Sequence, residues 1–175
     1  MHRVHGPLPS SEELDWPLPT TIELPSMLDL PKAASLFIEF GEQGRDEAIA
    51  ALQNTMLRLL MSLPPGKARF TVIDPVGLGQ SFAGFMHLAD HDELPMIEKI
   101  WTEPRHIEQQ LNDLTEHMEN VIQTYLRNEY ETIDEYNAAA GEIAEPYHFL
   151  VMADLPANLT ENAGQRLTSI AQTGA

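Results

Sequence analysis

The 175 residues carry 27 acidic and 10 basic side chains, a net charge of −17, with 43% hydrophobic and 21% charged residues. This is ordinary globular composition, enough for one domain with a buried core, and the charge argues against a stand-alone nucleic-acid or anionic-membrane binder, which needs clustered Lys and Arg. The absence of Cys excludes disulfides, thiolate zinc sites and Cys nucleophiles.

No stretch approaches the roughly 18–20 consecutive apolar residues of a membrane helix. The first seven residues lack the apolar centre of a signal peptide. The expectation is a soluble, cytoplasmic chain.

Residues 1–34 hold six prolines, at positions 7, 9, 17, 19, 25 and 31. Proline removes a backbone donor and fixes φ, so this region reads as an extended arm with short edge strands, one of them around 20–24. Residues 35–175 read as the folded domain. Ser35 to Phe40 has the apolar run of a strand, and Gly41-Glu42-Gln43-Gly44-Arg45 reads as a tight turn. A helix is expected over 46–63, with apolar residues at 49, 52, 56, 59, 60 and 63 on one face. Pro64-Pro65-Gly66 stops it.

Arg69 to Asp74 is the next expected strand, ended by Pro75. Residues 76–100 read as loop, with an acidic cluster at 90–93. The long helix is expected over 103–130, where Ile107, Leu111, Leu114, Met118, Val121 and Tyr125 alternate at spacings of four and three. His106 and His117 are placed on its polar side. A short helix over 133–140, a strand over 147–153 ending at Asp154, and a last helix over 160–173 follow. Thr160 or Asn158 caps that last helix. Strands alternating with helices predict an α/β fold, a mainly parallel sheet with helices on both faces.

In such sheets ligands sit at the carboxyl ends of the strands. Three places qualify: Gly41–Arg45, Asp74 and Asp154. A turn between a strand and a helix N-terminus presents free N–H groups to an anion, and glycines allow close approach of a phosphate. A P-loop needs G-x-x-x-x-G-K-[ST]. Here the glycines are closer together, and Asp46 and Glu47 stand near the positions of the Lys and Ser. Phosphate binding and a purely structural turn both fit this segment. Asp154, at a strand end, suits a magnesium ligand, and equally a turn former or helix cap. Asp74 before Pro75 reads by default as an Asx turn. His87 and His91 with Asp90 and Asp92 offer a zinc set without Cys, weighed against a solvated acidic loop.

From Ser35 onward the order of parts resembles the RecA-like ATPase core of the FtsK/SpoIIIE/HerA superfamily. The pieces that carry the likeness are Leu36–Phe40 with Gly41–Asp46, then Val72-Ile73-Asp74-Pro75. Glu116-His117-Met118-Glu119, Ile133-Asp134-Glu135-Tyr136-Asn137 and Phe149–Asp154 follow. The resemblance implies an incomplete RecA-like P-loop core in an ATP-driven DNA or protein translocase. ATP would lie on Gly41, Gln43, Gly44 and Arg45, and Asp154 would face magnesium. It also implies neighbouring ATPase domains or subunits as partners, in a ring, and a parent chain longer than these residues. The sequence departs from the family pattern at the Walker A Lys and Ser/Thr, at Val76, and at Leu155 where a Walker B Glu would stand. The copy therefore reads as degenerate. The alternative is a non-catalytic ATPase-like module that packs on an active neighbour.

Overall fold

A computed structural model describes residues 35–91, 96–126 and 130–173. The arm expected over 1–34 lies outside the described residues. Three strands, β1 (Ala68–Ile73), β2 (Ile97–Trp101) and β3 (Tyr147–Met152), form one parallel sheet in the order β2-β1-β3. Four α-helices accompany it: α1 (Arg45–Ser62), α2 (Pro104–Val121), α3 (Ile133–Ala140) and α4 (Glu161–Thr173). The α/β expectation holds, with helices on both faces of the sheet.

Each face of the sheet has its own core. On one side Ile49 and Met56 of α1 and Phe82 of a 3-10 segment (Gln80–His91) pack on Phe70, Val72, Ile97 and Val151. On the other, Ile107 and Leu111 of α2 and Ala163 of α4 close over Ile73, with Leu150 and Met152 packed beside them. β1 is central: Ala68, Phe70 and Val72 are buried on one face and Ile73 on the other, with Arg69 and Thr71 half-buried between them. Thr160 caps α4, its Oγ1 accepting from the Ala163 amide at 3.1 Å. The same hydroxyl donates to Glu108 at 2.6 Å, and Asn162 donates to that carboxylate at 2.8 Å. These two hydrogen bonds tie α2 to the start of α4. They hold Glu108 below the usual carboxylate range, Thr160 first and Asn162 second.

Several expectations need correction. Ser35 to Phe40 is not a strand, and Phe37 is 75% exposed. Its aromatic and branched residues favour an extended chain, but a strand exists only where a neighbour supplies a ladder. None of the three described strands pairs with it. Conversely, a strand forms at 97–101, where a loop was expected. The segment is only five residues long and carries Glu98 and Lys99, so its period of two is hidden. Charged residues of this kind are usual on an edge strand. Finally, α2 ends at Val121, and a π-helical turn over Ile122–Leu126 follows. That turn brings Tyr125 onto Tyr136 of α3, the rings stacked 4.3 Å apart.

His117 is likewise not on a solvated face. It is half-buried and stacks on His148 of β3 with ring centroids 4.6 Å apart. His106 is exposed at the start of α2, 3.5 Å from Glu103. His148 is exposed over part of its surface, but the atoms crowded around its ring desolvate it, and with His117 and Arg69 they push its pKa down to about 4.

A neutral His148 ring in the folded chain sets a pH dependence. Once unfolded, the ring takes a proton near its ordinary pKa of about 6.5. Unfolding therefore takes up a proton between about pH 6.5 and pH 4, and stability falls as pH drops through that window. Replacing His148 by Phe keeps a ring against His117 and removes the titration. Urea midpoints measured from pH 7.5 to 4.5 are expected to fall less in His148→Phe than in the parent chain. Parallel pH profiles would show that His148 is not the group responsible.

Candidate functional site

The strand ends gather their charged groups because the strands are parallel. β1 and β3 are neighbours in register from Ala68↔Tyr147 to Ile73↔Met152. The register carries Asp74 opposite Ala153, with Asp154 one residue further on at the same end of the sheet, and Arg45 at the start of α1 reaches both. The Arg45 guanidinium makes a two-pronged contact with Asp154, Nε to Oδ1 and Nη2 to Oδ2, both at 2.7 Å. Nη2 also stands 3.5 Å from Oδ1 of Asp74 and donates to Ser81 Oγ at 3.4 Å. Paired planar geometry of this kind is the strongest form of carboxylate recognition that a side chain offers.

Asp74 is fully buried. Its carboxylate accepts from the Gly77 amide at 3.0 Å and from the Ser81 amide at 3.1 Å, folding the 75–79 turn around itself. A buried carboxylate needs such partners, since an unpaired one costs several kcal/mol of desolvation, on the order of the chain's whole stability. Gly77 is required at this place. A Cβ there would lie 2.4 Å from Ser81 Oγ and 2.5 Å from each Asp74 oxygen. Asp74 does organise a turn, but through amides three and seven residues on and not the i+2 amide of an Asx turn, and an ion pair to Arg45 is added.

Asp154 stands just beyond β3 in the left-handed region, φ 55°, and the Ala157 amide donates to its carbonyl at 2.8 Å. Its side chain is 9% exposed, against 32% for that of Arg45. The hydrogen bonds to Asp154 raise the pKa of Arg45 above the ordinary arginine value; the charges of Asp154, Asp74 and Asp46 add to this and burial opposes it.

The turn before α1 closes through the Gly44 amide, which donates to the Gly41 carbonyl at 3.2 Å. Gly44 is the N-cap residue, and no side chain caps the helix. Asp46 and Glu47 occupy the first turn. Of the residues read from the sequence as a site, Arg45 and Asp154 meet directly, and Gly41, Gln43 and Gly44 form the turn that leads into Arg45. Ser81 was not anticipated. Its signal is non-local, because it comes into place only when the 75–79 turn wraps Asp74. Among the described residues no three His, Cys, Asp or Glu side chains converge as a metal set. The zinc set considered at His87, His91, Asp90 and Asp92 falls partly outside the described residues.

Chemically, the arrangement is a charge clamp. One guanidinium balances two carboxylates at the ends of adjacent strands and pins the start of α1 to them. Comparison with protein-family models, with curated proteins and with solved structures gives no match.

A lysine at position 45 would keep the charge and lose the fork. Arg45→Lys is expected to lower the unfolding free energy by about 1 kcal/mol, within a range of about 0.5–2. Urea denaturation at neutral pH checks this. An unchanged midpoint would mean that the two-pronged contact contributes nothing beyond its charge.

Proposed function

We propose that this chain is an FtsK/SpoIIIE-like, RecA-type ATPase module of a DNA or protein translocase, in which this copy does not hydrolyse ATP. The observation that carries the reading is the two-pronged Arg45–Asp154 contact. Asp154 is the carboxylate that the sequence offers to magnesium, and both of its oxygens are engaged by Arg45. The donor set does not fit the metal while that contact stands. A phosphate approaching the turn would also meet the charges of Asp154, Asp46 and Glu47, with Arg45 as the only cation in the sequence segment 41–47. Phosphoryl transfer depends on positive charge at the transferred group, and here the balance is negative.

The supporting frame is the parallel β1–β3 pair, with the Ile73-Asp74-Pro75 strand end beside Asp154 and a helix starting above both. In this reading the module acts through neighbouring ATPase domains or subunits of a ring, which hold ATP and magnesium in intact copies. A second reading, in which nucleotide binds this copy, draws on the uncapped N-terminus of α1 behind Gly41, Gln43 and Gly44. It also draws on the exposed third of the Arg45 side chain. There Arg45 would release Asp154 to face the phosphates.

Calorimetric titration of Mg·ATP into the folded chain separates the two readings. The expected result is no saturable heat up to millimolar nucleotide, and no phosphate release above background. Micromolar, magnesium-dependent binding that disappears in Asp154→Ala would overturn the closed clamp in favour of a nucleotide site, and phosphate release above background would overturn the absence of hydrolysis.

A further inference from the structure

The two edges of the sheet are built differently. The β2 edge carries Glu98 and Lys99, both exposed, and its ladder with β1 has a register shift between Phe70 and Val72. Charges and irregularities of this kind discourage pairing with another chain. The β3 edge has neither device. Its sequence Tyr-His-Phe-Leu-Val-Met holds no Lys, Pro or acid, and its ladder with β1 is unbroken.

The Tyr147 amide donates to Lys67 and the Ala153 amide donates to Ile73, each at 2.9 Å. Alternation along the strand turns the backbone groups of His148, Leu150 and Met152 outward. No described strand pairs with them.

A groove of about 660 Å³ runs beside this edge. Leu114, Met118 and Val121 of α2, Phe149 and Leu150 of β3, and Ile170 of α4 form its apolar wall. The apolar stripe of α2 explains it. Ile107 and Leu111 are buried against β1 and α4, while the stripe continues past that cover to Val121. Among the described residues the groove lining includes Glu131 and Glu145 and no Lys or Arg.

We propose that the β3 edge and this groove form a docking site for an extended segment of a partner protein, apolar on alternate residues and basic at its flanks. The segment adds as a fourth strand. Its backbone pairs with His148, Leu150 and Met152, and its apolar side chains fill the groove. The basic flanks follow from charge complementarity: Glu131 and Glu145 are the charged residues of the described groove lining, on a chain of net charge −17. The site depends on the sheet and on α2, not on Arg45, so it stands or falls separately from the nucleotide experiment.

The test is amide hydrogen exchange on the full chain, followed by NMR. The probe is a short peptide of alternating valine and threonine flanked by lysines. In the free protein the His148, Leu150 and Met152 amides are expected to exchange fast, and the peptide to slow them at least about tenfold. Val121→Asp, on the groove wall, is expected to weaken peptide binding by about tenfold or more. A peptide with glutamate flanks is expected to have no effect. No slowing at millimolar peptide would overturn the proposal. So would protection already present in the free monomer, which would mean that the chain covers its own edge. Protection appearing only as sedimentation shows a dimer would assign the edge to a second copy and equally overturn it.

Discussion

The central constraint is electrostatic. A parallel sheet brings the carboxyl ends of its strands to one side, and here two adjacent strands end in Asp74 and Asp154. At an effective dielectric of about 20, unit charges about 4 Å apart interact by about 4 kcal/mol. Negative charge gathered at one end of the sheet with no cation near it would work against the strand pairing. Arg45 answers both carboxylates. Desolvation and loss of side-chain freedom reduce the net gain to a small part of the Coulomb figure. Even so, about 1–3 kcal/mol is a large share of a marginal stability. The clamp fixes where α1 starts, while Ile49 and Met56 fix how it lies on the sheet.

The same clamp connects fold to function. A site that bound ATP would need those carboxylates for a metal and the turn for phosphates. In this chain the carboxylates are spent on structure. The residues that depart from a working P-loop thus form a consistent set: Asp46 and Glu47 make the turn inhospitable to phosphate, and Arg45 turns inward to Asp154. In the proposed non-hydrolysing module, the α2 stripe beyond Leu111 and the β3 edge are left as a surface for a partner.

Much of this was legible in the sequence. The helices at 45–62, 133–140 and 161–173 follow from apolar spacing with Pro, Gly and Thr as stops and caps, and β1 and β3 follow from their apolar runs. The places that meet were partly legible: a strand end and a helix start were singled out in the sequence, and Arg45 and Asp154 stand there. Their mutual contact was not, because 109 positions separate them in the chain. The misreadings share one cause. Strand formation at Leu36–Phe40 and at Ile97–Trp101 depends on whether a neighbour is present, which local pattern does not record. His117 was misplaced for a related reason, since its partner His148 lies on a strand far along the chain.

The most direct measurement is a double-mutant cycle between Arg45→Ala and Asp154→Ala, read by urea denaturation. If the clamp organises the strand ends, the coupling between the two positions is about 1–3 kcal/mol, with the double variant destabilised by less than the sum of the single ones. Additive effects, with a coupling under about 0.5 kcal/mol, would contradict the account.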